Sequence, residues 1–386
     1  MDPYLHEVVV EKLVPGGDGL ARLEGRAVFI PFAAVGDRLR IELTAEKRDF
    51  ARARILKVLT PSAQRVTPAC PFFGECGGCN LQHLSYQEQL KQKLRMAREA
   101  LERTAKLPVS DLPVESSIVA CLPYGYRNRV QLHRDGRGRI GFMRRASNSL
   151  VEVAHCPVCV EGINRFLADP VPPAGAGRFQ VFSTGDQCVV EGREEAVRLS
   201  LLGRRISFRL SGFFQSNLSI LPALIGEVTG GLSGQRLLDL YGGVGLFACF
   251  LQDSFHQVAV VEQNASALSM AEENLQGGRS SLFCSSVEEW IRAADRHQAA
   301  DAVVLDPPRS GLSATVRSFL LAIRPRAIRY VSCDPITLAR DLAALCAGGY
   351  RLESLKLFDF FPQTAHIEAA AGLSAGGDSP SASAEA

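Results

Sequence analysis

The sequence predicts an α/β protein whose C-terminal part is a doubly wound parallel sheet, preceded by a small β-barrel and a mostly β middle region. Three observations predict it. From about residue 213 onward, strand, glycine turn and helix alternate, the pattern of a parallel sheet covered by helices on both faces. Residues 6–60 read instead as short strands broken by glycine turns. Residues 112–212 carry further strand-like runs without the strand–helix rhythm. A chain of 386 residues is too long for one ordinary core, so several domains are expected.

Taken in order, His6–Leu13 alternates, Pro15–Gly19 turns, Ala27–Phe32 is apolar, Gly36-Asp37 turns, and Arg38–Leu43 alternates again. Ala51–Leu59 closes a five-strand set, which suits a barrel of the oligonucleotide-binding kind over residues 1–62. A middle domain is expected over 63–212. It opens with a cysteine-bearing loop (68–85) and a proline-free helix, Tyr86–Lys106, whose polar face carries Lys91, Lys93, Arg95, Arg98 and Arg103. Strands follow near Arg127–His133, Ile140–Arg144 and Gln187–Glu191. The α/β domain is expected over 213–371. The tail, 372–386, is Gly, Ser and Ala with two acids, a composition that predicts disorder.

Hydrophobic residues make up 46% of the chain and charged ones 22%, as in a soluble globular protein. A net charge of +2 is too small to identify a nucleic-acid binder. Local balance says more: between Cys121 and Leu150 stand seven arginines (127, 129, 134, 137, 139, 144, 145) against one acid, Asp135. Such a run either grips phosphates or forms a solvated basic face, and composition leaves both open. No apolar stretch approaches the ~18 residues that span a bilayer, and no signal-peptide pattern opens the chain. A cytoplasmic monomer without membrane contact is therefore expected. Eleven cysteines, an odd number, do not suit a disulfide framework in a reducing compartment. Of these, Cys121, Cys188, Cys249, Cys284 and Cys346 lie in or beside apolar runs and read as packing.

Chemistry gathers at successive strand ends. Arg236–Leu240 leads into Tyr241-Gly242-Gly243-Val244-Gly245, where glycines let the backbone pass close to a ligand. Twenty residues beyond Gly242, the next strand ends in Glu262, placed to accept hydrogen bonds from two ribose hydroxyls. The full dinucleotide fingerprint is absent, because Leu246, Phe247 and Ala248 follow Gly245, which weakens a dehydrogenase reading. A third strand, Ala302–Leu305, ends in Asp306-Pro307-Pro308-Arg309, and a fourth, Ala327–Val331, in Ser332-Cys333-Asp334-Pro335. A reactive thiol beside a stiff Asp-Pro-Pro loop fits methylation at a pyrimidine carbon. A thiolate adding to carbon 6 of uracil makes carbon 5 nucleophilic, and a base must then remove the carbon-5 proton. Cys333 offers the thiolate, and Glu368, at the end of Phe361-Pro362-Gln363-Thr364-Ala365-His366-Ile367-Glu368, offers the base. A strand cysteine taken alone is more often a buried hydrophobe.

The motifs Phe213-Phe214-Gln215-Ser216-Asn217, the glycine turn from Asp239, Asp306-Pro307-Pro308-Arg309, Ser332-Cys333-Asp334-Pro335 and Phe361–Glu368 occur in that order. Together they resemble the RNA uracil-5-methyltransferase family, whose members make 5-methyluridine in ribosomal and transfer RNA. The resemblance covers roughly residues 1–370. It implies a class I (Rossmann-like) methyltransferase domain, an N-terminal OB-fold-like TRAM barrel that binds RNA, and S-adenosyl-L-methionine as cofactor. By the same resemblance Cys333 is the nucleophile and Glu368 the base. Gln215, Tyr241, Gly242, Glu262, Asp306 and Ser286 bind the cofactor, and His366 is a positioning residue. Leu246 and Ser286 depart from the usual residues at their positions, which implies backbone-mediated or weaker contacts there.

Cys70, Cys76 and Cys79 are spaced C-x5-C-x2-C among glycines 74, 77 and 78. A fourth ligand is needed, for which Cys156 is the best candidate and Cys159 the rival. Chemistry alone allows structural zinc or an iron–sulfur cluster. The resemblance implies a [4Fe–4S] cluster held by Cys70, Cys76, Cys79 and Cys156. It also implies 23S rRNA as the substrate, with tRNA or a non-catalytic ribosome-assembly role as alternatives.

Overall fold

The computed structural model describes residues 4–376 apart from 106–113, 176, 186, 194–195, 276–278 and 294–298. Its N-terminal unit is a six-stranded sheet: β1 (Leu5–Val9), β2 (Lys12–Leu13), β3 (Gly19–Leu23), β4 (Arg26–Ile30), β5 (Arg38–Glu46) and β6 (Phe50–Thr60), in the order β1-β5-β6-β4-β3-β2. Alternation along β5 and β6 sends Leu39, Ile41, Leu43, Ala51 and Ala53 into one core with Val8, Val28 and Ile30. The sequence suggests five strands. Four runs carry that count, and they become six because His6–Leu13 divides at Val10, whose backbone turns aside to bond Asp37 and Gly36, and because Gly19–Leu23 forms β3. Asp37 is buried and accepts from Ala34 N–H, Ser62 N–H and the Arg65 guanidinium, tying this unit to the segment that follows.

Helix α1 (Tyr86–Ala100) starts at Ser85, whose hydroxyl accepts from Glu88 N–H. Next come β7 (Val114–Val119), β8 (Arg129–Arg134), β9 (Ile140–Met143), β10 (Leu150–Val151), α2 (Glu161–Ala168), β11 (Arg178–Ser183) and β12 (Cys188–Val190). Strands β8 to β12 make an antiparallel sheet, β10-β9-β8-β11-β12. The hairpin β13 (Val197–Leu201) and β14 (Arg204–Phe208) leads into α3 (Leu221–Thr229) and the largest sheet.

That sheet alternates strand and helix: β15 (Gly234–Leu240), α4 (Leu246–Leu251), β16 (Phe255–Glu262), α5 (Ala265–Asn274), β17 (Ser280–Cys284), α6 (Val287–Arg292), β18 (Ala302–Leu305), α7 (Ala314–Ile323), β19 (Ala327–Ser332), α8 (Pro335–Ala347), β20 (Tyr350–Phe358) and β21 (Glu368–Ala375). The order is β17-β16-β15-β18-β19-β21-β20-β7, with β21 antiparallel to both neighbours. The central strands are buried on both faces, which is why they read as unbroken apolar runs such as Ala302–Leu305. One core cluster, around Phe208, Phe247 and Val260, lies on one side of the sheet, and another, around Trp290, Tyr330 and Leu342, on the other.

The structure departs from the expected borders. Strand β7 pairs parallel with β20 and so belongs to the large sheet. The β13–β14 hairpin docks on α5, where Asn274 exchanges hydrogen bonds with the backbone of Ser207. Both segments read in sequence only as part of a mostly β middle region, and nothing local shows the sheet or helix they join. Residues 372–375, expected in the tail, form the end of β21, and 377–386 lie outside the described residues. Cys284, expected to be packed, is exposed at the end of an edge strand.

Lys93, expected on a solvated face of α1, is wholly buried against Asp359. Of the seven clustered arginines, Arg129 is buried and donates to Leu210 O and Gly212 O, while Arg127 turns inward to Arg129 O. Arg139, Arg144 and Arg145 pair with Asp135, Glu75 and Asp18. The run is thus partly internal scaffolding. Among the described residues no helix is long and apolar enough to cross a membrane.

Candidate active site

The carboxyl edge of the large sheet opens into a cleft of about 980 Å³. Gln215, Tyr241, Gly242, Glu262, Ser286, Asp306, Cys333 and Glu368 all line it. They arrive from seven stretches of sequence because parallel strands β15, β16, β18 and β19 end on one side, while β21, running the other way, begins there.

The turn after β15 is built for close approach. Tyr241, Gly243 and Gly245 have φ of 61°, 56° and 71°, and a Cβ on Gly242 would stand 2.5 Å from Val260 Cγ1. Glu262 braces the turn: its Oε2 accepts from Gly243 N–H at 3.0 Å and its Oε1 from Asn264 N–H at 2.7 Å. Below it, Asp239 is fully buried, accepts from Ala248 N–H at 3.1 Å through Oδ2, and has no partner for Oδ1. Burial pushes Asp239 up to about 7. Ser286 caps α6, its hydroxyl accepting from Glu289 N–H while the Glu289 carboxylate reaches back. Gln215 is buried at the opposite wall, beside Phe214 stacked on Phe208 at 4.0 Å, and Phe213, also in the lining, is 74% exposed.

At the inner end sit Asp306, Cys333 and Glu368. Burial pushes Asp306 up to about 7. Burial, reinforced by Asp306, holds Glu368 well above the usual carboxylate range, with Arg309 pulling the other way. The Cys333 thiol is pushed up to about 11 by burial and by Glu368, again opposed by Arg309. His366 lies outside this group: its Nδ1 is 3.4 Å from an Arg309 guanidinium nitrogen, and burial drives it down to about 4. A neutral imidazole there can orient Arg309. The sequence carries Arg309 within a recognised motif without revealing its place between thiol and carboxyl. Phe361, which opens the last of the recognised motifs, and Arg340, which gives no signal in sequence, also stand in the wall.

A second cavity, about 140 Å³, lies under the middle sheet. Cys70, Cys76, Cys79, Cys156 and Cys159 line it, with Arg127. The first four are thus brought together, and so is the rival, Cys159, which is hydrogen-bonded to Cys156. Burial raises Cys70, Cys76 and Cys79, the last to about 12. Among the described residues no three His, Cys, Asp or Glu side chains converge tightly enough to hold a single metal ion.

Residues 183–375 match the family model for tRNA (uracil-5-)-methyltransferases, and residues 6–56 match the TRAM domain. The chain belongs to the uracil-5-methyltransferase family. A 23S rRNA (uracil(1939)-C(5))-methyltransferase of Yersinia enterocolitica is 32% identical over 94% of this chain and 94% of its own. An RNA methyltransferase of Treponema denticola is 33% identical over 94% of this chain and 97% of its own. The crystal structure of a tRNA (uracil-54, C5)-methyltransferase from Pyrococcus abyssi, in complex with S-adenosyl-L-homocysteine, has a TM-score of 0.73 at 25% identity and covers 95% of this chain and 99% of its own. This uracil-5-methyltransferase is therefore an S-adenosylmethionine-dependent RNA-modifying enzyme with a class I methyltransferase fold and an N-terminal TRAM unit.

Proposed function

We propose that the enzyme methylates carbon 5 of a uridine in 23S rRNA, in the cytoplasm and as a monomer, through a covalent bond between Cys333 and carbon 6. One observation carries this reading: Cys333 and Glu368 share a cleft with the glycine turn and Glu262. Gln215, Tyr241, Gly242, Glu262, Ser286 and Asp306 would hold S-adenosylmethionine, which supplies the methyl group when bound. Cys333 Sγ attacks carbon 6 of a uridine turned out of its helix, since a stacked base hides that atom. Arg309 stabilises the thiolate against the burial that disfavours it. Addition at carbon 6 makes carbon 5 nucleophilic, so that carbon 5 can take the methyl group. Glu368 then takes the proton that carbon 5 still carries, and the sulfur–carbon bond breaks, its electron pair returning to Cys333 as the product leaves. A carboxyl held well above its usual range is a stronger base once ionised, which suits removal of a proton from carbon.

The four thiols around the smaller cavity suit a multi-atom centre better than one ion, because they surround a space rather than converge. Cys70, Cys76, Cys79 and Cys156 would hold a [4Fe–4S] cluster, whose iron–thiolate bonds tie the cysteine loop to the middle sheet. Iron and acid-labile sulfide analysis of anaerobically purified protein tests this; zinc alone would refute it.

The decisive experiment uses 5-fluorouridine-substituted 23S rRNA fragments and tRNA with S-adenosylmethionine. Fluorine cannot leave as a proton, so a protein–RNA adduct should accumulate with 23S rRNA and vanish in Cys333→Ala. An adduct with tRNA alone would move the substrate to tRNA. Methylation of RNA without any adduct would overturn the covalent mechanism.

A further inference from the structure

The loop between β20 and β21, residues 359–367, borders the cleft through Phe361, yet it is held largely by side chains from the first half of the chain. Phe361 lines the cleft, His366 contacts Arg309, and Glu368 follows directly. Phe361 O accepts from Lys93 Nζ at 3.1 Å, Pro362 O from the Tyr126 hydroxyl at 2.8 Å, and Phe360 O from Asn217 Nδ2 at 3.0 Å. Gln363 has φ of 68°, a conformation that non-glycine residues hold only under outside constraint. Its N–H donates to Gln89 Oε1 and its Oε1 accepts from Gln89 Nε2, both at 2.9 Å.

At the centre of this arrangement is Asn80, the residue after Cys79. Its N–H and that of Leu81 donate to Gln363 O at 3.1 and 3.0 Å. Asn80 Oδ1 accepts from Ala365 N–H at 3.0 Å, and Asn80 Nδ2 donates to Gly16 O in the N-terminal unit at 2.7 Å. The joint has no slack: a Cβ on Gly17 would stand 2.8 Å from Asn80 Nδ2 and 2.9 Å from Ala365 Cβ.

We infer that Asn80 is a positioning residue for the methyl-transfer cleft, through which the TRAM unit and the cysteine loop set the β20–β21 loop. The inference rests on the proposed chemistry but concerns a residue that touches neither cofactor nor base. It gives the cysteine loop a role toward the cleft itself: whatever fixes Cys79 also fixes the next residue, and with it Gln363 and Ala365.

The test uses full-length enzyme. Wild type is first assayed for the 5-fluorouridine adduct, whose absence would remove the functional reading on which this inference depends. With the adduct established, Asn80→Ala is expected to lower kcat and the rate of adduct formation by about ten- to a hundredfold, as slight misplacement of reacting groups does. Its S-adenosylmethionine Kd and iron content should stay within about twofold of wild type, the span expected when no contact to either is removed. Asn80→Asp keeps the acceptor for Ala365 N–H but turns a carboxylate oxygen toward Gly16 O, so the link to the loop is kept while that to the TRAM unit is lost, and kcat should fall, though less than in Asn80→Ala. If Asn80→Ala does not fold, Tyr126→Phe, which removes only the hydrogen bond to Pro362 O, should show the same kcat-selective loss at smaller size. Unchanged kcat in Asn80→Ala and Tyr126→Phe, parallel loss of cofactor binding and iron in Asn80→Ala, or wild-type kcat in Asn80→Asp would each overturn the inference.

Discussion

Replacing Lys93 by Met should destabilise the enzyme far more than replacing Lys93 and Asp359 together. Both side chains are fully buried, and Lys93 Nζ donates to Asp359 Oδ1 at 2.6 Å and to Phe361 O at 3.1 Å. Asp359 Oδ2 already has no partner. Burial pulls the Lys93 pKa down while Asp359 pushes it back up, so the pair persists only because each charge compensates the other. Removing the ammonium strands a buried carboxylate, at a cost of about 3–5 kcal/mol. In Lys93→Met/Asp359→Leu no charge is left to solvate, and the loss should shrink to about 1 kcal/mol or change sign. Urea unfolding followed by the fluorescence of Trp290, the single tryptophan and part of the core beside β18 and β19, measures each variant. The same stability in the single and double variants, or a loss below about 1 kcal/mol in Lys93→Met, would show that water reaches the pair and refute the reasoning.

Four further outcomes follow from the site. With Cys333 pushed up to about 11, adduct formation should rise about tenfold per pH unit between pH 7 and 9; Arg309→Gln should slow it about three- to tenfold at pH 8, because the cation that opposes the rise is gone, and an equal rate would exclude that role. Glu368→Gln should accumulate adduct on ordinary uridine RNA, seen on a denaturing gel, since methyl transfer proceeds but the carbon-5 proton stays; free methylated product at the wild-type rate would assign the base elsewhere. Gly242→Ala forces a Cβ to within 2.5 Å of Val260 Cγ1, and calorimetry should show S-adenosylmethionine affinity reduced by about tenfold or more; unchanged affinity would mean the turn yields. Asp239 is pushed up from 3.8 to about 7, so the stability it contributes is present at low pH and lost as pH rises through 7; the urea midpoint of cofactor-free enzyme should fall from pH 5 to 8, and less so in Asp239→Asn.

Much of the site was legible because its residues stand where apolar runs stop. Leu240, Val261, Leu305 and Val331 each precede a glycine or polar group, and parallel strands deliver those ends to one edge. The glycine turn could be read for a similar reason, since Gly243 and Gly245 adopt positive φ that other residues resist. What escaped the sequence depends on partners far away along the chain. Lys93 lies among cations on α1, and nothing local shows that Asp359 waits 266 positions on. Arg127 and Arg129 read as surface charge, yet Arg129 ties the middle sheet to Leu210 and Gly212, and Arg127 turns to Arg129 O and the cysteine-lined cavity. Strand β7, Val-Glu-Ser-Ser-Ile-Val, shows no alternation, so neither the strand nor its pairing with β20 had a local sign. Asp239 passes for the last polar residue of an apolar strand until the space around it is seen to be closed.

The place of β21 bears on how the chain comes into being. It lies inside the large sheet, between β19 and β20, although it is the last strand described. During synthesis from the N-terminus, β19 and β20 leave the ribosome before the strand that must enter between them. Until residues 368–375 emerge, each exposes an edge ready to pair with its neighbour or with another nascent chain. Cys333, at the end of β19, therefore exists before Glu368 does, and the cleft acquires both only when that strand is threaded home.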